Sequence, residues 1–136
     1  QKVDFLYPGY LDHVDPYLFT VYARVKKAED VADVQQQILA EIEKLKTDLA
    51  PESELESVKS HLRYQFALSM DSTSAIANTL AFYLGLTRDP ETINKRYQLY
   101  QQVTPQDVQT VAKKVFVENG RTIATLETAG QGGKSE

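Results

Sequence analysis

Cysteine and tryptophan are absent from the 136 residues, methionine occurs once and histidine occurs twice. Without cysteine the chain cannot form a disulfide, a thiolate metal site or a cysteine nucleophile. The two histidines, His13 and His61, are far apart in the sequence and belong to no metal-binding motif. Zinc sites are usually built from three or four closely organised ligands, so two isolated histidines do not suggest one. We therefore expect no catalytic residue, metal ligand or cofactor in this chain.

The chain also has no excess of basic residues and no long apolar run. Fifteen Lys and Arg residues against nineteen Asp and Glu residues give a formal net charge of −4. Nucleic acid is disfavoured as a partner, because no basic face is available to neutralise phosphates. A membrane is disfavoured too, because no apolar run approaches the roughly 18 residues that a spanning helix needs. The remaining composition, 42% hydrophobic and 25% charged, is typical of one globular domain.

Alternation of apolar and polar residues predicts β-strands near both ends of the chain. Residues 17–26 alternate with the period of two that is typical of a half-buried strand. Residues 3–7 alternate in the same way, and the turn signal Pro8-Gly9 follows them. The two segments are therefore predicted to form a hairpin whose loop is residues 8–16. Residues 121–127 alternate again and are predicted as a third strand.

Five helices are predicted between the strands, from apolar residues spaced by three and four. The first carries an apolar stripe over residues 31–49, and Pro51 is predicted to occupy the first position of the second. Hydroxyl and carboxylate side chains at residues 71–74 are predicted to cap the third helix. The fourth is predicted to begin at residues 89–91. The sequence TPQD at 104–107 predicts the start of the fifth, with a threonine cap, proline at N1 and an acid at N3.

This order of elements predicts an α+β fold in which an antiparallel sheet is covered by a layer of about five helices. Residues 1–127 form the predicted domain, and the glycine-rich residues 128–136 form a predicted flexible tail. Three strands are few for five helices, and they leave sheet edges to protect. We therefore expect a piece of a larger unit whose other strands lie upstream, with a small complete α+β domain as the alternative.

Two groups of polar residues resemble catalytic sites, but their positions at predicted helix starts explain them better. The glutamates at 52, 54 and 56 are spread around the first turns of a predicted helix, where negative charge suits the helix dipole. The serines at 72 and 74 have no histidine or lysine partner nearby in the sequence, which a serine nucleophile would need.

Tyrosine is concentrated near the start of the chain, where four of the eight occur: Tyr7, Tyr10, Tyr17 and Tyr22. Aromatic pairs across neighbouring strands stabilise sheets, which is one interpretation. The other is a peptide-contacting surface, because tyrosine supplies both apolar area and a hydroxyl. The sequence leaves both interpretations open.

Five segments occur in an order that resembles one known protein family. They are DPYLFTVYA at 15–23, ILAEIEKL at 38–45, ELESVK at 54–59, VTPQDVQTVAKK at 103–114 and TIATL at 122–126. This order resembles the second-type half-domain of the insulinase/pitrilysin family of zinc metallopeptidases, which includes mitochondrial processing peptidase. The resemblance covers about residues 3–127, and it rests on the whole ordered set and not on any single segment.

The resemblance implies that the chain is the C-terminal part of one half-domain, in a protein whose half-domains enclose unfolded peptides in a chamber. The family binds zinc through an inverted His-x-x-Glu-His motif in its N-terminal half, so zinc is expected in the parent protein. That motif has no counterpart in this chain. The position of the family's substrate-contacting tyrosine aligns near Asp4, so the tyrosine is missing in that alignment. A shift of a few residues would bring Tyr7 or Tyr10 there, and these two are the candidate substrate-binding residues.

The function implied is that of a non-catalytic segment that helps to form the peptide-binding chamber, while the parent carries out proteolysis. The expected partners are an upstream catalytic half-domain or a paired subunit, together with unfolded peptides. Two alternatives stay open: a non-catalytic peptidase-like partner subunit, and an unrelated α+β protein-interaction module. An incomplete sheet also predicts self-association, because an exposed strand edge recruits another strand.

Overall fold

The structure, a computed structural model, describes residues 2–127 and has the predicted α+β class. Two strands come first, β1 (Val3–Tyr10) and β2 (Phe19–Val25), and they form an antiparallel hairpin. Five α-helices follow: α1 (Val31–Thr47), α2 (Glu52–Ser69), α3 (Thr73–Thr87), α4 (Thr92–Gln102) and α5 (Pro105–Val115). The predicted tail, residues 128–136, lies outside the described residues.

The predicted turn at Pro8-Gly9 is wrong, because β1 continues through both residues to Tyr10. Pro8 pairs in register with Val21, and the hairpin loop is residues 11–18 and not 8–16. Proline is tolerated here because β1 lies at an edge of the sheet, where a missing N–H group disturbs little of the ladder. The fixed φ angle of proline also suits an extended strand.

The predicted third strand is also wrong in this structure. Residues 121–127 belong to no β-ladder, and all of them are exposed, with Leu126 at 99%. Arg121 has the extended backbone of a strand, with φ −99° and ψ 131°. Alternation favours an extended conformation, but a strand also needs a neighbour for its backbone hydrogen bonds. Nothing in residues 2–127 supplies that neighbour.

The helix starts follow the predicted capping chemistry closely. At α3 the Ser72 hydroxyl accepts a hydrogen bond from the backbone N–H of Ala75 at 3.2 Å. At α5 the Thr104 hydroxyl accepts from the Asp107 backbone N–H, and the Asp107 carboxylate accepts from the Thr104 backbone N–H. This reciprocal capping box satisfies two N–H groups that would otherwise lack partners. Pro51 is the N-cap of α2 rather than its first residue, because its ψ of 134° is not helical.

The elements pack as a hairpin beside loosely joined helix pairs. Helix α1 packs on α5, and α4 packs on both α3 and α2. The hairpin is joined to α1 where Lys2 forms ion pairs with Asp30 and Asp33 at 3.0 and 2.9 Å. It is joined to the end of α5 where the ring of Phe19 meets Phe116 edge-on, with centroids 5.2 Å apart. None of the described helices is both long and apolar enough to cross a membrane.

The hydrophobic core is thin. Within residues 2–127 the buried apolar residues are Val34, Ile93 and Ala112, whereas 25 large hydrophobic residues are exposed. The accessible surface is 11193 Å². A folded monomer of 15.3 kDa should expose about 7,100 Å². The ten residues outside the described range account for at most about 1,400 Å² of the difference, so about 2,700 Å² of surplus surface belongs to the described residues.

Candidate functional site

One face of the hairpin displays aromatic side chains around a cross-strand tyrosine pair. Tyr7 and Tyr22 are register partners on β1 and β2, so their side chains lie next to each other on the same face. Phe5 and Arg24, the neighbouring pair of that alternation, share the face. We call these four residues the tyrosine face. Both tyrosines are 61% exposed, so their rings are available to a ligand rather than packed against the helices.

Gly9 provides the space in which the Tyr7 ring lies. A Cβ atom placed on Gly9 would lie 2.8 Å from Cε1 of Tyr7, closer than such atoms approach in proteins. The same segment is held to β2, because the Thr20 hydroxyl donates a hydrogen bond to the carbonyl oxygen of Gly9 at 3.3 Å. The glycine therefore lets the ring lie flat along the strand, which exposes a broad aromatic surface.

Charge near the tyrosine face is mostly basic. Asp4 lies 3.6 Å from Nε of Arg24 and 3.7 Å from Nζ of Lys26, and all three side chains are exposed. Ion pairs this long and this well solvated contribute little stability. Arg24 therefore remains able to contact the carbonyl oxygens or carboxylates of a bound peptide.

The two tyrosines predicted to bind substrate lie on opposite faces of the hairpin. Tyr7 belongs to the tyrosine face, whereas Tyr10 lies on the opposite face as the register partner of Phe19. Phe19 contacts Phe116, so this second face is directed towards the end of α5. Tyr7 thus fits the interpretation as a peptide-contacting surface. Tyr10 is 56% exposed beside Phe19, so both interpretations stay open for it. A role of either residue in substrate binding stays a prediction.

Both strands of the hairpin have an outer edge that is unpaired within the described part of the chain. Each such edge presents a row of N–H and C=O groups that a further extended segment could pair with. The tyrosine face borders these edges, since Tyr7 and Tyr22 lie on the two edge strands. A peptide that added to the sheet could therefore gain main-chain hydrogen bonds and aromatic contacts together.

Arg96 of α4 is the centre of a polar cluster that holds the hairpin loop against the helices. Its Nη1 donates to Asp12 Oδ2 at 2.6 Å, and its Nε donates to the Tyr100 hydroxyl at 2.7 Å. Its guanidinium also lies over the rings of Tyr83 and Tyr100, at 5.3 and 5.6 Å from their centroids. Such cation–π contacts add to the attraction when the cation is partly desolvated.

The cluster also shifts the acidity of its members. Burial on its own would lower the pKa of Arg96, but the hydrogen bonds to Asp12 and Tyr100 outweigh it, and the net pKa is raised. Burial raises the pKa of the Tyr83 phenol, and the positive charge of Arg96 opposes part of that shift. The guanidinium therefore stays charged, and the cluster holds the hairpin loop against α4 rather than transferring protons.

The cluster was missed in the sequence because its partners are distant. Arg96 and Tyr100 have the spacing of neighbours on one helix face, which the sequence does show. Asp12 lies 84 residues away in the hairpin loop, and no local pattern connects it to α4. The i, i+4 spacing of Arg96 and Tyr100 is the one signal that could have suggested a cation–π contact.

The two histidines lie on different elements and have different neighbours. His13 lies in the hairpin loop, where its ring stacks on Tyr17 at 4.0 Å between centroids, and His61 lies exposed on α2. Among residues 2–127 no three His, Cys, Asp or Glu side chains are grouped as metal ligands would be. The serines at 72 and 74 lie at the start of α3, and Ser72 serves as its cap.

Comparison with known proteins found no family model, no curated protein and no solved structure that matches this chain.

Proposed function

We propose that this chain is a non-catalytic segment of a zinc-metallopeptidase-like protein, in which it forms part of the wall of a chamber that binds unfolded peptides. The resemblance of its five ordered segments to a second-type half-domain suggests the parent protein. The tyrosine face and the unpaired strand edges beside it support the peptide-binding role. An upstream catalytic half-domain or a paired subunit is the proposed structural partner.

The observation that carries the proposal is the Tyr7–Tyr22 pair on a two-stranded sheet with unpaired edges. An unfolded peptide offers the backbone groups that such an edge lacks, whatever its sequence is. Aromatic surface then adds affinity without demanding particular side chains. This combination suits a protein that must bind many unfolded peptides, because most of the recognition is directed at the main chain.

The thin core supports the idea of a segment within a larger assembly. A surplus of about 2,700 Å² is about three times the roughly 800 Å² per partner that a standard protein interface buries. Surfaces of that size belong to permanent partners rather than to brief encounters. The exposed residues 121–127 are also consistent with a strand whose neighbour is supplied by another part of the assembly.

In the proposed protein this chain does not break bonds. The zinc ion of the parent would activate water, with a glutamate as general base. The residues of this chain would hold the peptide extended, so that a peptide bond is presented to that site in a fixed orientation. Positioning of this kind lowers the entropic part of the barrier to the reaction.

The proposal is tested by peptide binding to the chain itself. A fluorescein-labelled unstructured peptide of about ten residues, titrated with the chain and followed by fluorescence anisotropy, serves as the probe. We expect Tyr7→Ala and Tyr22→Ala each to weaken binding by about 3- to 10-fold, as the loss of an aromatic contact predicts. Tyr64→Ala is the matched control, because Tyr64 is equally exposed but lies on α2, away from the sheet.

A second probe separates edge pairing from simple aromatic contact. The same peptide with alternate backbone nitrogens methylated cannot donate main-chain hydrogen bonds, so its affinity should fall sharply if it joins the sheet. Unchanged affinity after methylation, or equal losses in the Tyr22→Ala and Tyr64→Ala chains, would refute the proposed mode of binding.

The parent protein distinguishes the alternatives for the whole assembly. A full-length parent with one bound zinc and chelator-sensitive cleavage of unfolded peptides would be the expected peptidase, and Tyr7→Ala should raise its KM more than it lowers its kcat. A parent without zinc that associates with an active subunit would instead be a non-catalytic partner. A parent that does neither would favour an unrelated protein-interaction module.

A further inference from the structure

Helix α3 has an unusual composition for a helix that is largely exposed. None of its fifteen residues, Thr73–Thr87, is charged, and apolar side chains occur all round it. A helix that is apolar on every side is normally buried on every side. Here α3 packs mainly on α4, and an open cleft lined by Phe66 and Phe82 separates it from α2.

Three of the four large aliphatic residues of α3 are exposed. The half-buried stripe consists of Ala75, Thr79, Tyr83 and Leu86. The next stripe round the helix, about 100° away, consists of Ile76, Leu80 and Leu84, which are 41%, 43% and 48% exposed and which we call the outer ridge. Aliphatic side chains on a helix are expected to face a protein interior. The outer ridge therefore predicts a protein surface that covers it.

A row of small residues runs beside the outer ridge. Ala77, Ala81 and Gly85 have the same spacing of four as the ridge residues, and all three are exposed. A Cβ placed on Gly85 would meet no atom within 4 Å, so the space over this row is open. The ridge and the row together form one raised and one recessed strip on the same helix.

We propose that this face binds a second copy of the chain, with the two α3 helices packed against each other about a two-fold axis. Ridges with a spacing of four pack into grooves of the same spacing at a crossing angle of about −50°. In a two-fold pair the outer ridge of each copy enters the small-residue row of the other. The face is therefore complementary to itself and needs no different partner to fill it.

Charge also favours a second copy at this face. Each chain has a net charge of −4, so two copies repel each other through most of their surface. They can meet over α3 without bringing like charges together, because α3 has none. An antiparallel pair also places Asp71, which precedes α3, towards the end where Arg88 of the other copy follows it.

Sedimentation velocity between about 1 and 300 µM tests the proposal, since that range detects dimers with micromolar dissociation constants. We expect the wild-type chain to pass from monomer to dimer. Leu80→Glu should raise the dissociation constant at least about 10-fold, because the dimer would bury an unpaired charge. Leu68→Glu is the matched control: Leu68 is as exposed as the ridge residues but lies on α2. Circular dichroism checks that both variants remain helical.

A cross-linking experiment locates the contact and excludes pairing through strand edges. The chain has no cysteine, so Ala81→Cys introduces its single thiol. Near a two-fold axis the thiols of two copies meet, and mild oxidation should give a disulfide-linked dimer at concentrations where Leu68→Cys stays monomeric. A monomer at every concentration refutes the proposal. So does a dimer in which Leu80→Glu has no effect, or in which Ala81→Cys does not cross-link. If Leu80→Glu fails to fold, the cross-linking result alone decides.

Discussion

The ion pair between Asp12 and Arg96 should hold the hairpin loop to the helices, and a double-mutant cycle measures its strength. The four chains are wild type, Asp12→Ala, Arg96→Met and the double variant. Methionine keeps much of the apolar contact that the arginine side chain makes with Tyr83 and Tyr100. The cycle then isolates the coupling between carboxylate and guanidinium from the effects of each substitution alone.

The geometry of the pair sets the expected magnitude. The N–O distance is 2.6 Å, and the Arg96 and Asp12 side chains are 36% and 26% exposed. Fully exposed pairs contribute about 0.2–1 kcal/mol, whereas breaking a buried pair costs about 3–5 kcal/mol. A partly exposed pair with one charge-assisted hydrogen bond should lie between these limits, with a coupling of about 1.5 kcal/mol. For 136 residues that corresponds to a change in Tm of about 5 °C.

Urea denaturation followed by circular dichroism at fixed protein concentration gives the four free energies of unfolding. The neighbouring pair Lys95–Asp89 is the matched control, because its N–O distance is also 2.6 Å but its side chains are 65% and 37% exposed. Its coupling should be clearly smaller, because solvent screens both charges. Equal coupling in the two cycles would show that burial adds nothing at Arg96. The conclusion that the Arg96 cluster holds the hairpin loop to the helices would then be wrong.

Three smaller perturbations test local features of the fold. Thr104→Ala should cost about 1 kcal/mol of stability in urea denaturation, whereas Thr104→Ser should retain most of it by keeping the capping hydroxyl. Hydrogen bonds from the Thr104 hydroxyl and backbone N–H lower the pKa of Asp107, so the stability that its carboxylate adds is complete above its ordinary pKa. That stability should be lost as the pH falls through the lowered value, and an acid titration of wild type against Asp107→Asn would show the difference disappearing. Arg88 ends α3 in the left-handed region at φ 56°, so Arg88→Gly should stabilise the chain by about 0.5–1 kcal/mol, measured as a rise in Tm.

The elements predicted best from the sequence are those whose causes are local. The capping box at residues 104–107 and the Ser72 cap depend on side chains within three positions of the groups they bind. The apolar stripe of α1 predicted its buried residue Val34, because spacing on one helix is a property of that helix alone. The tyrosine pair was visible as a concentration of tyrosine, although the sequence did not show which members would share a face.

The wrong predictions are those that depended on distant neighbours. Pro8-Gly9 has the composition of a turn, but pairing with β2 extends the strand through it. Residues 121–127 have the pattern of a strand but no neighbour in the described residues. The sequence did not single out the inner face of α3, where Ala75, Thr79 and Tyr83 are half-buried. On a helix that is apolar all round, the pattern cannot select the inner face.

Because only three of the described residues are buried, binding of a partner should change how the helices of this chain open and close. With so little shared interior, the helices are expected to open singly rather than in one cooperative event, and their amide hydrogens should exchange with solvent quickly. A partner that covers α3 or the hairpin would suppress those openings throughout the elements it couples. Hydrogen-exchange protection on assembly should therefore extend well beyond the residues in contact. The area protected would measure how far the partner completes the cooperative unit.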